Sequence, residues 1–395
     1  MHTVSTQRLA IVSPRFAPFV GGAETHAAEI AYRIAQNGWE VDVLTQEQDR
    51  ALPTLEHTRG ITIRRFPLLM PSQHYAIAPS LWSYLARFSQ EYDVIHAVNY
   101  HALPALMVAL TSRTPLVFSP HYHGAGSSRF RTMLHLPYRR LGAEILRRSR
   151  YVLCDTEAEA QLLGRDFPAI ANRLSVVPLG VEVEAIREAA PYEGEDGVIL
   201  CVGRLESYKN VQICIRALAH LDDTFVLRII GDGPYRASLE TLAASLSLQQ
   251  RVTFLGKVDG HTLRRWLNTA RVFVSMSQRE AFGITFLEAL AAGRCCAVSD
   301  LPAHRDIAAL SNVTNSVQFI PPTASPLEVA QGIGHMAARD HHSDRQLRIC
   351  SWADVAKQML AIYESCLSSS AANAQRATAA AYGSTGTRAA MNHAQ

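Results

Sequence analysis

The sequence predicts an α/β protein made of two doubly wound halves, and three observations support this prediction. Short apolar runs rich in β-branched residues alternate with helical patterns, which is typical of parallel strands joined by crossover helices. The alternation restarts after a charged, glycine-containing stretch at 192–197. The chain has 395 residues, enough for two to three domains at about 150 residues each.

The first half begins with a predicted strand at 8–13, a loop rich in proline and glycine, and a helix at 23–36. Apolar residues between 27 and 34 follow the i, i+3, i+4, i+7 rule and predict one buried helix face. Asn37-Gly38 indicates where the helix ends. Further strands are predicted at 40–45, 61–66, 93–97, 115–119, 151–154 and 174–177.

The second half repeats this organisation. Because ligands of doubly wound folds bind beyond the carboxyl ends of the strands, residues just after each strand are the candidates for chemistry. Residues 368–395 are rich in Ala, Ser, Thr and Gly without a sustained apolar face, which predicts a disordered tail. Strands in this half are predicted at 198–202, 225–230, 252–255, 272–276, 295–299 and 317–320.

Composition excludes several classes of protein. With 48% apolar and 18% charged residues, the chain as a whole is not intrinsically disordered. A balance of 38 Lys+Arg against 35 Asp+Glu does not suit a dedicated nucleic-acid binder. No apolar run approaches the ~18 residues of a membrane helix, and the apolar stretch at 9–12 is too short for a signal-peptide core. We therefore expect a cytoplasmic protein.

The seven cysteines include no C-x-x-C pair, and most lie in apolar stretches. They are expected to be small core residues, with neither a disulfide framework nor a zinc site.

Two strand-to-helix junctions suit an anionic ligand. Gly21-Gly22-Ala23-Glu24 places bare backbone N–H groups at a helix N-terminus, although Gly-Gly before a helix is also a common simple turn. Gly203-Arg204-Leu205 ends a strand, and Lys209 follows near the next helix. Two cations at the end of a strand suit a diphosphate leaving group, or they form a solvated pair.

The strongest local feature is the segment 279–293, which follows the strand at 272–276. Glu280 is predicted in the loop, whereas Thr285 and Glu288 share a face of the next helix. Carboxylates around a helix N-terminus can hold sugar or ribose hydroxyls while the amides hold phosphate. Paired carboxylates also suit glycoside hydrolysis, which requires them to flank the bond.

Together these motifs resemble family 4 of the retaining glycosyltransferases, over about residues 8 to 367. The resemblance implies a GT-B architecture, in which two Rossmann-like domains face each other across a cleft. The domains would span 1–185 on the acceptor side and 186–350 on the donor side, with a helix at 351–367 crossing back to the first domain. The motifs are Gly21-Gly22-x-Glu24, Gly203-Arg204-Leu205 with Lys209, Gly231-x-Gly233, residues 252–256, and Glu280-x7-Glu288 with Phe282-Gly283.

The resemblance also implies roles for individual residues. Two cations would hold the donor diphosphate, a carboxylate with neighbouring backbone would hold the donor sugar, and a second carboxylate would bind the ribose. The implied catalytic residues are Arg204, Lys209, Glu280 and His121, the last beside the reacting carbon. The implied donor-binding residues are Gly22, Gly203, Lys257, Val258, Phe282, Gly283, Ile284, Thr285 and Glu288.

The activity implied is transfer of a sugar from a UDP- or GDP-sugar to an acceptor hydroxyl, with retention of configuration. No cofactor is implied, and without an Asp-x-Asp motif no metal ion is expected to carry the diphosphate. The acceptor would be a bacterial glycan or glycolipid, or else a small secondary metabolite. The alternatives are a phosphorylase or epimerase of this architecture and a non-catalytic nucleotide-sugar-binding subunit.

Some positions depart from the commonest family pattern and leave the acceptor less defined than the donor. They are Val98, Leu179, Glu182 and the pair Cys295-Cys296. A packed or solvated role, rather than metal binding, is expected for His96, His101, His123 and His135.

The segment 127–150 is rich in arginine and has interleaved apolar residues around Pro137. It is either a solvated helix packed on its domain or an interfacial segment for anionic lipid at the inner face of the membrane.

Overall fold

The computed structural model describes residues 6–19, 21–47, 51–69, 77–122, 124, 129–313, 315–339 and 347–368, with only the backbone for 129–138. It is an α/β protein with two sheets. The predicted tail lies outside the described residues, except that residue 368 is the last of a helix.

The first sheet contains eight described strands. They are β1 (Arg8–Ser13), β2 (Glu40–Glu47), β3 (Leu55–Thr58), β4 (Ile61–Pro67), β5 (Val94–Val98), β6 (Leu116–Ser119), β7 (Tyr151–Cys154) and β8 (Leu174–Val176). Their order is β3-β4-β2-β1-β5-β6-β7-β8. The helices of this half are α1 (Gly22–Gln36), α2 (Pro79–Phe88), α3 (Leu103–Thr111), α4 (Arg129–Arg148), α5 (Glu157–Asp166) and α6 (Val183–Arg187).

The second sheet contains six described strands, all parallel where they pair. They are β9 (Val198–Val202), β10 (Val226–Ile230), β11 (Val252–Gly256), β12 (Val272–Ser275), β13 (Cys295–Ser299) and β14 (Val317–Ile320), in the order β11-β10-β9-β12-β13-β14. The helices are α7 (Val211–Leu218), α8 (Arg236–Ser245), α9 (Gly260–Thr269), α10 (Ile284–Ala291), α11 (Pro302–Leu310) and α12 (Pro326–Ala337).

Every strand predicted from the sequence is present within one or two residues, and β3 is an addition. It pairs antiparallel with β4 through a tight turn in which Arg59 and Gly60 have φ values of 49° and 82°. Two positive φ values in a two-residue connection are typical of a type I′ hairpin. The strand was missed because its four residues, mostly polar, lie at the edge of the sheet and show no apolar alternation.

The two halves are joined by chain segments that lie side by side. The backbone N–H of Val181 donates to the carbonyl of Cys350 at 3.1 Å. A Cβ on Gly180 would lie 2.5 Å from the backbone nitrogen of Trp352, so the crossing requires glycine there. The helix at 352–368, here α13, then runs back to the first sheet, where the Tyr363 hydroxyl lies 2.7 Å from Nδ1 of His96.

The structure also bears on the cysteines and on membrane-spanning helices. All seven cysteines lie in the described part of the chain as thiols, and six of them are buried, as small core residues would be. None of the helices in the described ranges combines the length and the apolar character that crossing a bilayer requires.

Candidate active site

The candidate site lies where the carboxyl ends of the two sheets meet. Helix α5 follows β7 of the first sheet, and α11 follows β13 of the second. The carboxylate of Asp306 in α11 accepts a hydrogen bond of 2.7 Å from the backbone N–H of Ala158 in α5. Because each of these helices begins at the carboxyl end of its strand, this contact brings the two carboxyl edges together across a cleft.

On the second sheet, a cation and a carboxylate predicted to bind different parts of a donor are paired with each other. Lys209 ends a short 3-10 turn before α7, and Glu280 lies in the loop after β12. Lys209 Nζ is 2.6 Å from Glu280 Oε1, and the side chains are 20% and 14% exposed. Burial alone would raise the pKa of Glu280, but the Lys209 ammonium outweighs it and holds this pKa below its usual value.

Arg204 and Gly203 lie in the turn after β9, next to the turn that contains Gly231 and Gly233. Arg204 is exposed. A Cβ on Gly231, which has φ of 130°, would lie 1.9 Å from the carbonyl oxygen of Gly203. The glycines of the second turn therefore allow the two backbones to touch, and this contact places Arg204 at the end of the strand.

The N-terminus of α10 carries most of the remaining predicted residues. Gly283 precedes the helix with φ of 108°, a conformation that favours glycine, and the preceding residue, Phe282, is buried. The hydroxyl of Thr285 lies 3.5 Å from the carbonyl of Val202, which joins α10 to β9. Ile284 is the first helical residue, so the early amides of α10 lie beside the turn that contains Arg204.

Glu288 lies one helical turn further on. Burial raises the pKa of its carboxyl group to about 7, an effect that Arg264 only partly offsets. Lys257 and Val258 directly follow β11, with Lys257 exposed and Val258 partly buried. The residues predicted for the donor thus lie along the carboxyl edge of the second sheet.

Gly22 and His121 belong to the first sheet. A Cβ on Gly22 would meet no atom within 4 Å, so this helix start is open. His121 follows β6 and has a positive φ of 48°. Its Nδ1 lies 2.6 Å from Oδ2 of Asp155, and its Nε2 lies 3.4 Å from Nδ1 of His26. Both ring nitrogens therefore face the interior of the first half of the chain.

Sequence reasoning missed Asp155, Glu159 and His26 around His121. Asp155 directly follows β7, so the rule that residues just after strands carry chemistry could have found it. Glu159 and His26 are fully buried charged or polar residues on helices. No local signal separates them from other helical residues, because their importance comes from the neighbours that the fold supplies.

His304 was also missed. It is buried, with Nδ1 2.7 Å from the carbonyl oxygen of Ser299, so Nδ1 carries the proton. Nε2 has no hydrogen-bond partner among the described residues. A Cβ on Gly283 would lie 3.3 Å from this atom, so the His304 ring packs behind the loop that precedes α10.

Within the described residues, one group of three side chains brings metal-ligand atoms within 4.8 Å of one another: His26, His121 and Asp155. Asp155 and His26 contact opposite nitrogens of the His121 ring. The three groups therefore form a chain of hydrogen bonds instead of converging on one point.

Of the four histidines predicted to be packed or solvated, two have described side chains. His96 is buried, with its two ring nitrogens 2.7 Å from Tyr363 Oη and 2.9 Å from Ser119 Oγ, which agrees with a packed histidine. His101 stacks on Tyr122. His123 and the side chain of His135 lie outside the described residues.

The arginine-rich segment forms one helix, α4, which continues through Pro137. The exposed side chains of Arg147 and Arg148 both bind Glu144, at 2.6 and 3.0 Å. Arg139 donates to the carbonyl of Asp166 at 3.0 Å. These three arginines therefore have partners within the chain.

Two family models match the chain, one for each half. "Glycosyltransferase Family 4" matches residues 20–185, and "Glycosyl transferases group 1" matches residues 182–333. Among curated relatives, an uncharacterized glycosyltransferase of Methanocaldococcus jannaschii is 26% identical, over 90% of this chain and 98% of its own. A D-inositol 3-phosphate glycosyltransferase of Xylanimonas cellulosilytica is 25% identical, over 90% of this chain and 96% of its own.

Solved structures show the same fold. Sucrose-phosphate synthase from Thermosynechococcus elongatus superposes with a TM-score of 0.71 at 19% identity, covering 92% of this chain and 100% of the other. HepE from Anabaena, in complex with UDP, has a TM-score of 0.67 at 18% identity, covering 94% of this chain and 100% of the other. The chain therefore belongs to the family 4 glycosyltransferases and has the GT-B fold.

Proposed function

We propose that this glycosyltransferase transfers a sugar from a nucleotide-diphosphate donor, a UDP- or GDP-sugar, to an acceptor hydroxyl with retention of anomeric configuration. Three structures of HepE, a protein of the same fold, are complexes with UDP, with UDP and glucose, and with UDP-glucose. Those structures supply the analogy for the donor class. The side chains at the carboxyl edge of the second sheet supply the chemistry.

The observation that carries the proposal is the pairing of Lys209 with Glu280 beside the N-terminus of α10, with Glu288 one turn along that helix. A donor diphosphate would compete with Glu280 for the Lys209 ammonium, with Arg204 as the second cation. Glu280 would then accept hydrogen bonds from sugar hydroxyls, and Glu288 from the ribose. Amides at the start of α10 add donors for phosphate oxygens.

The reaction we propose needs no enzymic nucleophile. The acceptor hydroxyl attacks the anomeric carbon from the face that the diphosphate leaves, so the new glycosidic bond has the old configuration. The bond from the anomeric carbon to the diphosphate oxygen breaks, and a diphosphate oxygen takes the acceptor proton. The two domains must exclude water from the cleft, because the oxocarbenium-like centre would otherwise be hydrolysed.

For the acceptor we propose a bacterial glycan or glycolipid, with a small secondary metabolite as the alternative. We place the enzyme in the cytoplasm, with α4 as a candidate contact for anionic lipid. Arg140, Leu141, Arg147 and Arg148 are its exposed described side chains that suit such a contact. Sedimentation with phosphatidylglycerol vesicles, compared with phosphatidylcholine vesicles, tests the contact through its dependence on lipid charge and salt.

The function is tested with a panel of UDP- and GDP-sugars, measuring the rise in Tm and the donor turnover. A bound donor raises stability by RT ln(1 + [L]/Kd). The expected result is stabilisation by one donor class, slow hydrolysis of that donor, and much less stabilisation of the Glu288→Gln variant. Binding without any hydrolysis or transfer would instead support a non-catalytic binding subunit, and pyridoxal phosphate absorbance in the purified protein would support a phosphorylase.

A further inference from the structure

His121 has an unusual backbone conformation that neighbouring groups must stabilise. Its φ of 48° lies in the left-handed region, which residues with a side chain rarely adopt. Strained positions of this kind persist only when several surrounding contacts hold them. The contacts around His121 come from two buried carboxylates: Asp155, just before α5, and Glu159, in the first turn of α5.

Asp155 holds the ring of His121. It directly follows β7, is 2% exposed, and its Oδ2 lies 2.6 Å from Nδ1 of His121. A carboxylate only accepts hydrogen bonds, so Nδ1 carries a proton. This contact sets both the direction of the ring and its tautomer.

Glu159 holds the backbone on either side of this contact. Its Oε1 accepts from the N–H of Tyr122, the residue after His121, at 2.5 Å. Its Oε2 accepts from the N–H of Asp155 at 2.6 Å. One carboxylate therefore bridges the loop after β6 to the end of β7, and Glu159 is itself fixed in the first turn of α5, where its N–H donates to Thr156.

We propose that Asp155 and Glu159 are positioning residues for the transfer reaction: Asp155 fixes the orientation of the His121 ring, and Glu159 fixes the backbone of the turn that carries His121. This inference rests on the proposed function, because it assigns the two carboxylates to the reaction through His121. It adds residues from the first half of the chain to a site otherwise assigned mainly to the second half.

The surroundings of His121 favour the cation. Burial alone would lower its pKa, but Asp155, together with Glu159 and Glu24, outweighs burial and raises the pKa to about 9. Burial lowers the pKa of His26 well below its usual value, so its neutral Nδ1 can accept from His121 Nε2–H. The titratable groups that face His121 are Glu24 and His26 from α1, His96 from β5, Asp155 from the end of β7 and Glu159 from α5.

The same helix turn also touches the second domain. Asp306 of α11 accepts the N–H of Ala158, the residue before Glu159. The turn that holds His121 is therefore also a contact between the two halves of the cleft. The position of His121 and the contact with the second domain therefore both depend on the first turn of α5.

The first measurement follows the protonation of His121 directly, by NMR of the full chain with ¹⁵N-labelled histidine, with His121→Gln to assign the signal. The wild-type midpoint is expected near the pKa of about 9. Asp155→Asn keeps the shape of the side chain and removes its charge, so the midpoint should fall by ~2 units. The control is Asp166→Asn. Asp166 is the last residue of α5 and accepts from the Tyr122 hydroxyl at 2.8 Å, and its replacement should leave the His121 midpoint unchanged.

The second measurement separates this role from a structural one by its pH dependence. With a midpoint lowered by ~2 units, Asp155→Asn should lose ~10-fold in kcat near pH 8 but little near pH 6, where the ring is cationic in both proteins. Asp155→Glu, which restores the charge, should recover activity near pH 8. Burial and the neighbouring Asp155 raise the pKa of Glu159 to about 8, so near pH 6 its side chain is largely the neutral acid. Glu159→Gln should therefore lower kcat more near pH 8, where it removes one of the two backbone contacts, than near pH 6.

Three results would overturn the proposal. They are a wild-type His121 midpoint below about 7, an unchanged midpoint in Asp155→Asn, or a loss of kcat in that variant that is equal at both pH values. The first needs no variant, so it applies even if Asp155→Asn does not fold. If the wild-type enzyme turns over no nucleotide sugar, the proposed function fails and with it the catalytic part of this inference, while the NMR titration still decides whether Asp155 sets the charge of His121.

Discussion

Lys209 Nζ and Glu280 Oε1 lie 2.6 Å apart, although the residues are 71 positions apart in the sequence. The pair joins the end of β9 to the end of β12, two adjacent strands of the second sheet. A cation and a carboxylate that neutralise each other can each be released to part of an anionic, hydroxyl-rich ligand. This relationship leads to the first two predictions.

Removing either cation should slow the chemical step. Negative charge grows on the departing diphosphate, so a preorganised cation contributes more to the transition state than to the bound donor. Lys209→Ala and Arg204→Ala should each lower kcat by ~10²–10³, measured by initial rates at saturating donor. Arg236→Ala, which removes a surface cation paired with Glu240, is the control. Unchanged kcat with only weaker donor binding would remove the catalytic role of the two cations.

The two cations should differ in their effect on stability. Lys209→Ala leaves the Glu280 carboxylate, which is 14% exposed, without the cation that holds its pKa down. Arg204 is exposed, and no described residue forms an ion pair with it. We expect a lower Tm for Lys209→Ala than for Arg204→Ala, and partial recovery in Lys209→Met with Glu280→Gln, because coupled sites are not additive. Equal Tm values for the single variants would contradict this prediction.

Donor affinity should depend on the ionisation of Glu288. The pKa of its carboxyl group is raised to about 7, so the group is mostly protonated below that pH and ionised above it. An ionised carboxylate accepts ribose hydroxyls better than its acid, so donor KM should fall as pH rises from about 6 to about 8. Glu288→Gln should show a higher KM that no longer follows this pH change, with kcat little altered. A wild-type KM that is flat over this range would contradict the assignment.

Activity should survive a chelator. Arg204 and Lys209 can supply the positive charge that a divalent ion would bring to the diphosphate. Initial rates in EDTA should equal those in its absence, and added Mg²⁺ or Mn²⁺ should not raise them. Loss of turnover in EDTA that Mg²⁺ or Mn²⁺ restores would show that the two cations alone do not carry the leaving group.

Helix α13 should stabilise the first half of the chain, whereas the tail should not. A chain that ends after Ser368 should keep its Tm and kcat, because the composition of the tail cannot bury enough apolar surface to offset ordering. Tyr363→Phe removes the hydroxyl that lies 2.7 Å from Nδ1 of His96 and should lower the free energy of unfolding by ~1–3 kcal/mol. A chain that ends before Trp352 lacks α13, and its free energy of unfolding should fall much more than that of Tyr363→Phe. If removing the tail lowers kcat while Tm is unchanged, the tail belongs to the active site.

Local patterns in the sequence are sufficient for much of the fold. Apolar runs such as those at β1 and β9 are short, contain β-branched residues and end at a proline or a glycine, and the apolar face of α1 repeats with helical spacing. These signals depend only on neighbours along the chain, so they predict strands, helices and the ends where chemistry is found. Local motifs also drew attention to Arg204, Lys209, Glu280 and Glu288, whereas their roles, and the other donor-binding residues, were implied by the family resemblance.

Contacts between distant residues required the tertiary structure. Asp155 is 34 residues from His121, and Tyr363 is 267 residues from His96. Such pairs depend on the order of strands, on their register and on the return of α13 to the first sheet, none of which a local pattern contains. The charge of His121 and the pairing of Lys209 with Glu280 follow from these long-range placements, because burial and a neighbouring opposite charge set the protonation of a side chain.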